Sequence, residues 1–398
     1  MSGRPSGRAK GFAQVVVITA AAGRRFVLFG FLALLAPLAA CATRPETGFL
    51  SPVAEVAPGA SVHTVLVATT RERDARPGTM FNGERSGSLD YAELTVSVPP
   101  THAPNNVELA STPPGNPATD FVVRQADYLE SDKQFLRALN AQLATRPRGD
   151  RKVFVFVHGI NTMFAEGLYR LVQVVQDSKS NSIPVLFTWA SRGKVVEYLY
   201  DQNSATEARD ELEHTLRLIA ASDADKINIL AHSMGNWVTV EALRQIKISG
   251  HPLPSDKIGS IVLASPDIDL DVFKSQLRSF GTAHKPFTVV LSENDRALGL
   301  SRFIAGGENR VGDADVDELA ALGATVIDLT NLKATDFTNH GKFDQLAVVA
   351  PELNSVLAHG IASNPAAQRQ DAAGESLKSV VAMPITLLGA PIQIISAQ

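Results

Sequence analysis

The sequence predicts an α/β fold: a mostly parallel central sheet with helices on both faces and an N-terminal β-hairpin. Six short, unbroken apolar runs, at 153–157, 185–189, 227–231, 258–264, 287–291 and 325–329, have the length and composition of strands covered on both faces. Stretches of helical spacing separate most of them, and strands alternating with helices build a parallel sheet because each crossover must pass over a sheet face. The composition agrees. With 398 residues, 45% apolar and 20% charged, the chain has material for one large globular domain or two ordinary ones.

Composition also excludes whole classes. One cysteine rules out a disulfide scaffold. Lys and Arg total 37 against 41 acids, a formal charge of −4, with no basic block, so nucleic acid is not an expected partner. The charge is uneven: residues 1–40 hold five bases and no acid, which leaves −9 on the remainder.

The elements follow in order. Arg24 and Arg25 precede the 15-residue run FVLFGFLALLAPLAA at 26–40. A charged flank before an apolar run too short to span a bilayer comfortably is the layout of a secretory signal. Leu38-Ala39-Ala40-Cys41 resembles the lipobox of bacterial lipoproteins, in which the cysteine is acylated and becomes the mature N-terminus. Cys41 is therefore the expected lipidation site, and a lipid-anchored protein of the cell envelope is the expected location. Residues 1–40 read as signal peptide and 41–60, with Pro and Gly, as the lipidated cysteine and a linker. The folded domain is expected over 61–360. It opens with strands at 63–70 and 91–98, the latter closed by Pro99-Pro100 and paired with the former as a hairpin. A Pro- and Asn-rich loop at 101–119 precedes a helix at 132–145, where Phe135, Leu136, Leu139 and Leu143 fall at helical spacing. Ser204-Ala205-Thr206-Glu207 has the spacing of a capping box, starting a helix that buries Leu212, Leu216 and Ile219. Residues 361–398 read as a flexible tail. Its apolar stretch at 380–395, broken by Pro384, Gly389 and Pro391, is no membrane helix, and covering a sheet edge, lying on a membrane and meeting a partner stay open.

The chemistry centres on Ser233. The strand expected at 227–231 runs into Ala231-His232-Ser233-Met234-Gly235 and then into the helical sequence NWVTVEALRQI. Strand, small-x-Ser-x-Gly and helix make the nucleophile elbow, a sharp turn that lifts the serine Oγ above the sheet. The flanking positions must be small because two backbones converge there; Ala231 stands where glycine is usual and adds one methyl. A serine of ordinary acidity needs a base within hydrogen-bond reach and a third group to hold that base in the right tautomer. In this elbow's fold the chain order is serine, acid, histidine. Asp295, just past the strand at 287–291, and His340, past the last strand, meet that order. Both fall at carboxyl ends of strands, where ligands gather in open α/β sheets. Asp267, at the end of the preceding strand, is the rival acid. The backbone N–H of Met234 is an expected oxyanion donor. His63, His102, His158, His232 and His340 show no i,i+4 pairing or ligand motif, so no metal and no cofactor is expected.

TTRERD at 69–74, VFVHGIN at 155–161, FTWAS at 187–191, AHSMG, PDID and NHGKF together resemble a bacterial α/β-hydrolase family of esterase- and lipase-like proteins whose members are largely uncharacterised. The likeness spans about 63–358. It implies Ser233 as nucleophile, His340 as base and Asp295 as acid. His158-Gly159-Ile160-Asn161 resembles that superfamily's His-Gly oxyanion motif, which makes the Ile160 N–H the second donor, with His158 and His232 as braces for their loops. The implied activity is a serine hydrolase cleaving a carboxylic ester or thioester through an acyl-enzyme. The rivals are a non-catalytic envelope lipoprotein on the same scaffold and an acyltransferase using the same triad. The implied partners are an ester or acyl substrate, drawn from lipid or envelope material, and a membrane reached through the anchor. Only some 20 residues separate the strands ending at Ala264 and starting at Phe287, which leaves no room there for a large lid.

Overall fold

The computed structural model describes Arg44 and residues 47–280, 287–334, 338–343, 345, 380–387 and 390–397. The signal-peptide and Cys41 expectations, and the part of the expected tail at 361–379, lie outside them. The chain runs β1 (Ser61–Asp74), β2 (Met80–Val98), β3 (Val122–Leu129), α1 (Asp132–Ala144), β4 (Lys152–Val157), α2 (Phe164–Asp177), β5 (Ile183–Thr188), α3 (Tyr198–Glu207), α4 (Arg209–Ala220), β6 (Lys226–His232), α5 (Gly235–Ile248), β7 (Ile258–Ala264), α6 (Leu270–Phe280), β8 (Thr288–Leu291), α7 (Arg296–Ile304), α8 (Val316–Ala321), β9 (Thr325–Asp328), β10 (Val380–Leu387) and β11 (Ala390–Ala397).

All eleven strands join one sheet in the order β10-β11-β9-β8-β7-β6-β4-β5-β1-β2-β3. The central seven, β9 to β1, are parallel throughout, and antiparallel pairs close both flanks. The period of two in the strands divides the core. Val153, Val155 and Val157 of β4 face α1, α4, α5 and α6, packing with Phe135, Leu139, Leu212, Leu216, Val238 and Phe273. Phe156 of the same strand faces α2, with Leu168, Leu171 and Val172. The six apolar runs are β4 to β9, and the 132–145 helix is α1, capped by the Ser131 side chain.

Four expectations are corrected. The stretch 47–60 is not a free linker: Phe49 and Leu50 are buried, Leu50 N–H donates to Gly78 O, Val53 N–H donates to Val123 O, and the Tyr169 hydroxyl holds Phe49 O at 2.7 Å. Turn-rich composition signals irregular backbone, and irregular backbone can still pack. The N-terminal hairpin gains a third strand, β3. Its sequence VVRQADYL alternates out of burial along the sheet's flank, so it lacks the unbroken apolar run that marked the inner strands. The capping box at 204–207 starts no helix: Ser204 lies inside α3, its hydroxyl donating back to Tyr200 O, and a joint at Ala208 leads into α4. A four-residue match cannot reveal that the chain upstream is already helical. Finally, the tail boundary at 360 does not end the fold. Residues 380–387 and 390–397 pair as a hairpin, and β11 extends the sheet beyond β9 through Gln393 to Ile395, the edge-covering alternative.

Candidate active site

Parallel strands deliver their following loops to one edge of a sheet, and Ser233, Asp295 and His340 all stand on loops of that edge. Ser233 follows β6 with φ at 53°, the left-handed backbone that the elbow imposes and that a non-glycine residue adopts only under strain. The elbow is pinned from below: Ser233 N–H donates to Ala264 O at 3.0 Å, and the Asn236 side-chain amide donates to both Ser233 O and Ala264 O. Gly235 is required by contact, since a Cβ there would lie 2.6 Å from Val157 O and closer still to His158 O. Gly159 is required from the other side, where a Cβ would lie 2.7 Å from that of Ser233. The loop bearing Ile160 therefore runs directly against the serine, while Met234 is the N-cap residue of α5. Asn161, Ser265 and Asn339 also take positive φ. With Ser233 they make four strained positions on loops of this one edge, the distribution expected where function over-determines the backbone.

His340 and Asp295 are joined. The ring Nδ1 lies 2.7 Å from Asp295 Oδ2, and the carboxylate is fully buried while the ring is slightly exposed. An ionised carboxylate only accepts, so Nδ1 carries the proton and Nε2 is left with a lone pair. The second oxygen of Asp295 caps α7 through Leu298 N–H, which fixes the carboxylate on its strand-end turn. The His340 ring packs 4.7 Å from the ring of His232, the residue before the serine, and His232 stacks at 4.2 Å on Phe343. Burial first, and the nearby His340 second, push the His232 pKa well down, so His232 is a neutral brace.

The rival acid stands elsewhere. Asp267 accepts from the Tyr198 hydroxyl at 3.0 Å and the Ser301 hydroxyl at 2.5 Å, and pairs with buried Arg310 at 3.4 Å. Its own N–H reaches Ser233 O, so it supports the elbow through the backbone.

Sequence reasoning missed three polar groups. Arg71, wholly buried, donates to Thr188 Oγ1, Asn82 O, Ser191 O and Thr162 O and lies 3.3 Å from His158 Nε2. Burial lowers its pKa to about 10, and the same burial, with Arg71 adjacent, lowers that of His158 to about 3. His158 is thus neutral, stacked on Trp189 and bonded to Thr188 and Gly159 O. Asp201, buried on α3, accepts from Ser191 Oγ and from Asn161 and Arg192 N–H. Together Arg71 and Asp201 fasten the Ile160 loop. Lys342 is fully buried, its Nζ donating to Ser292 Oγ, Asn294 Oδ1, Leu329 O and Thr330 O, so it ties the turn of Asp295 to the turn of His340. A charged residue at inward parity within the strand run VLVATTR was a readable signal for Arg71; Lys342 and Asp201 lie on turns and a polar helix and gave none.

The model of the family described as alpha/beta hydrolase of unknown function (DUF900) matches residues 131–357, more than half of the chain. The chain belongs to this family. Within the α/β-hydrolase match lie Ile160, Ser233, Met234, Asp267, Asp295 and His340, whereas the flanking β1–β3 and Arg71 fall outside it. No curated protein matches the chain.

Proposed function

We propose that this α/β hydrolase is a serine hydrolase that cleaves a carboxylic ester or thioester through an acyl-enzyme, tethered to a membrane of the cell envelope by an acylated Cys41. The observation that carries the reading is the 2.7 Å contact of His340 Nδ1 with buried Asp295, made beside a serine in strained elbow geometry. Such a pair has a chemical consequence: the imidazole presents a basic Nε2 and its protonated form is stabilised by the carboxylate. In the first step Ser233 Oγ attacks the acyl carbon as its proton passes to His340 Nε2, and the carbonyl electrons move to oxygen. The N–H groups of Ile160 and Met234 stabilise that oxyanion. Collapse breaks the acyl–oxygen or acyl–sulfur bond and His340 gives its proton to the leaving group. Water then repeats the sequence on the acyl-enzyme, releasing the acid and restoring Ser233. No nucleic acid enters this scheme.

The test is labelling and turnover in the full chain. A fluorophosphonate is expected to label Ser233, and Ser233→Ala to lose both labelling and p-nitrophenyl ester hydrolysis, by about a million-fold in kcat. A folded wild-type chain that takes no label and leaves every ester intact would reduce the protein to a binding scaffold.

A further inference from the structure

Six of the eleven large apolar side chains that stand exposed among the described residues belong to two short segments: Val195, Val196 and Leu199 at the start of α3, and Leu300, Phe303 and Ile304 on α7. Val196 keeps 89% of its surface exposed and Phe303 82%. Scattered exposed apolar residues are ordinary, whereas a grouped set marks a surface that something covers. The two segments are neighbours, because the Tyr198 and Ser301 hydroxyls lie 2.9 Å apart and both hold Asp267. Asp267 N–H bonds Ser233 O, and α7 is capped by Asp295 itself. The exposed apolar set therefore rims the elbow.

The chain joins the domain on the same edge. Since β1 runs parallel to β5, the turn after Asp74 lies with Ser233 at the carboxyl ends. Leu50 N–H donates to Gly78 O in that turn, and a Cβ on Gly78 would strike Ser51 and Gly48. Beyond the turn, β2 leans on the segment leading into α3: a Cβ on Gly83 would lie 2.8 Å from Arg192 Cα, and Arg85 donates to Ser204 Oγ at 2.8 Å. Cys41 precedes Gly48 by seven residues, a stretch that reaches at most about 25 Å. A lipid on Cys41 is thus leashed to the edge that carries the site.

We infer that this rim docks on the surface of a lipid bilayer, with the side chains at 195–199 and 300–304 among the headgroups and Ser233 facing the membrane. The inference rests on the lipid-anchored reading of Cys41 and adds the second contact that stable membrane residence requires, since a single acyl chain holds a protein only marginally. The formal charge of −9 beyond residue 40 favours a zwitterionic over an anionic surface. A second copy of the chain is the competing occupant, and the short leash argues for the membrane.

The experiment places tryptophan on the rim of the full chain. Val196→Trp and Phe303→Trp are compared with Val62→Trp, which is also exposed but stands at the opposite, amino end of β1. Phosphatidylcholine vesicles with brominated acyl chains are added, and the emission of wild type, from buried Trp189 and half-buried Trp237, is subtracted under the same conditions. The added emission at 196 and 303 is expected to fall by at least half, and that at 62 to stay nearly unchanged. Equal quenching at all three positions, or none, overturns the proposal. So does a dimer by light scattering that Val196→Ser with Phe303→Ser dissociates, with emission indifferent to the bromolipid. The readout needs no turnover: the Ser233→Ala chain is expected to dock equally, and a chain that docks yet never takes fluorophosphonate refutes the hydrolase reading alone.

Discussion

Two buried aspartates compete for the role of acid, and their partners separate them. Asp295 holds the imidazole, whereas Asp267 balances Arg310 and accepts from two hydroxyls. Asp295→Asn is expected to lower kcat about 10⁴-fold by presenting the wrong tautomer, with the fold intact by circular dichroism. Asp267→Asn leaves Arg310 buried without its counter-charge and is expected to cost about 3–5 kcal/mol in urea unfolding, with turnover by the folded fraction within roughly tenfold of wild type, far short of the triad-scale loss. Steady-state kinetics that reversed this order, with Asp267→Asn inactive and Asp295→Asn active, would transfer the role to Asp267.

Between elements, the decisive contact is the zip of two turns, the one after β8 that carries Asp295 and the one after β9 that carries His340. Arg296 N–H donates to Thr338 O, Asn339 Nδ2 donates to Asn294 O, and Lys342 Nζ reaches Ser292 and Asn294. Lys342→Met retains the stem but removes the charge from its four contacts; Leu329 O, Thr330 O and Asn294 Oδ1 keep Leu332 N–H, Asn294 Nδ2 and Ser292 Oγ as donors, so what is lost is the charge-assisted part, about 1.5–3 kcal/mol for a hydrogen bond to a charged group. The expected result is a loss of at least about 2 kcal/mol in stability, with kcat down roughly tenfold and KM unchanged, because the turns bear the acid and base and not the binding surface. A rise in KM with kcat intact would instead place Lys342 in substrate binding. The convergence of α5 on β4 gives a second case. Gly235→Ala drives a methyl into two backbone carbonyls that no rotamer can move, so soluble yield and Ser233 labelling should fall together; normal thermal stability of the variant would contradict the packing described.

For the whole molecule, the histidines set opposite limits on pH. His158 and His232 are neutral in the fold, with pKa values lowered chiefly by burial. The unfolded chain therefore binds protons there that the fold does not, and stability falls as pH drops below about 6.5, by up to ~1.4 kcal/mol per pH unit for each. His102 has the opposite sign. Burial pulls its pKa down, but hydrogen bonds to Glu108 at 2.8 Å and Asp177 at 3.0 Å outweigh this and raise it. Its stabilisation is complete below about 6.5 and disappears as pH rises through the raised value. Urea midpoints from pH 5.5 to 8 should peak near neutrality, and His102→Gln should remove the alkaline decline while leaving the acid side. A midpoint flat across that range would refute both assignments.

The sequence by itself determined the layers and the inner strands, and it singled out Ser233 and His340 as site candidates with Asp295 and Asp267 as rival acids, because these depend on local signals: an unbroken apolar run, a small-x-Ser-x-Gly turn, a position just past a strand. Tertiary structure alone decided which acid meets the imidazole, since Asp267 and Asp295 follow neighbouring strands and differ only in what packs above them. It also decided that Arg71, Asp201 and Lys342 brace the site, that β3 and the 380–397 hairpin extend the sheet, and that residues 47–60 are packed. In each case the stabilising partner lies far away along the chain, and the free energy of a buried hydrogen bond or an edge pairing depends on that partner, which no local pattern encodes.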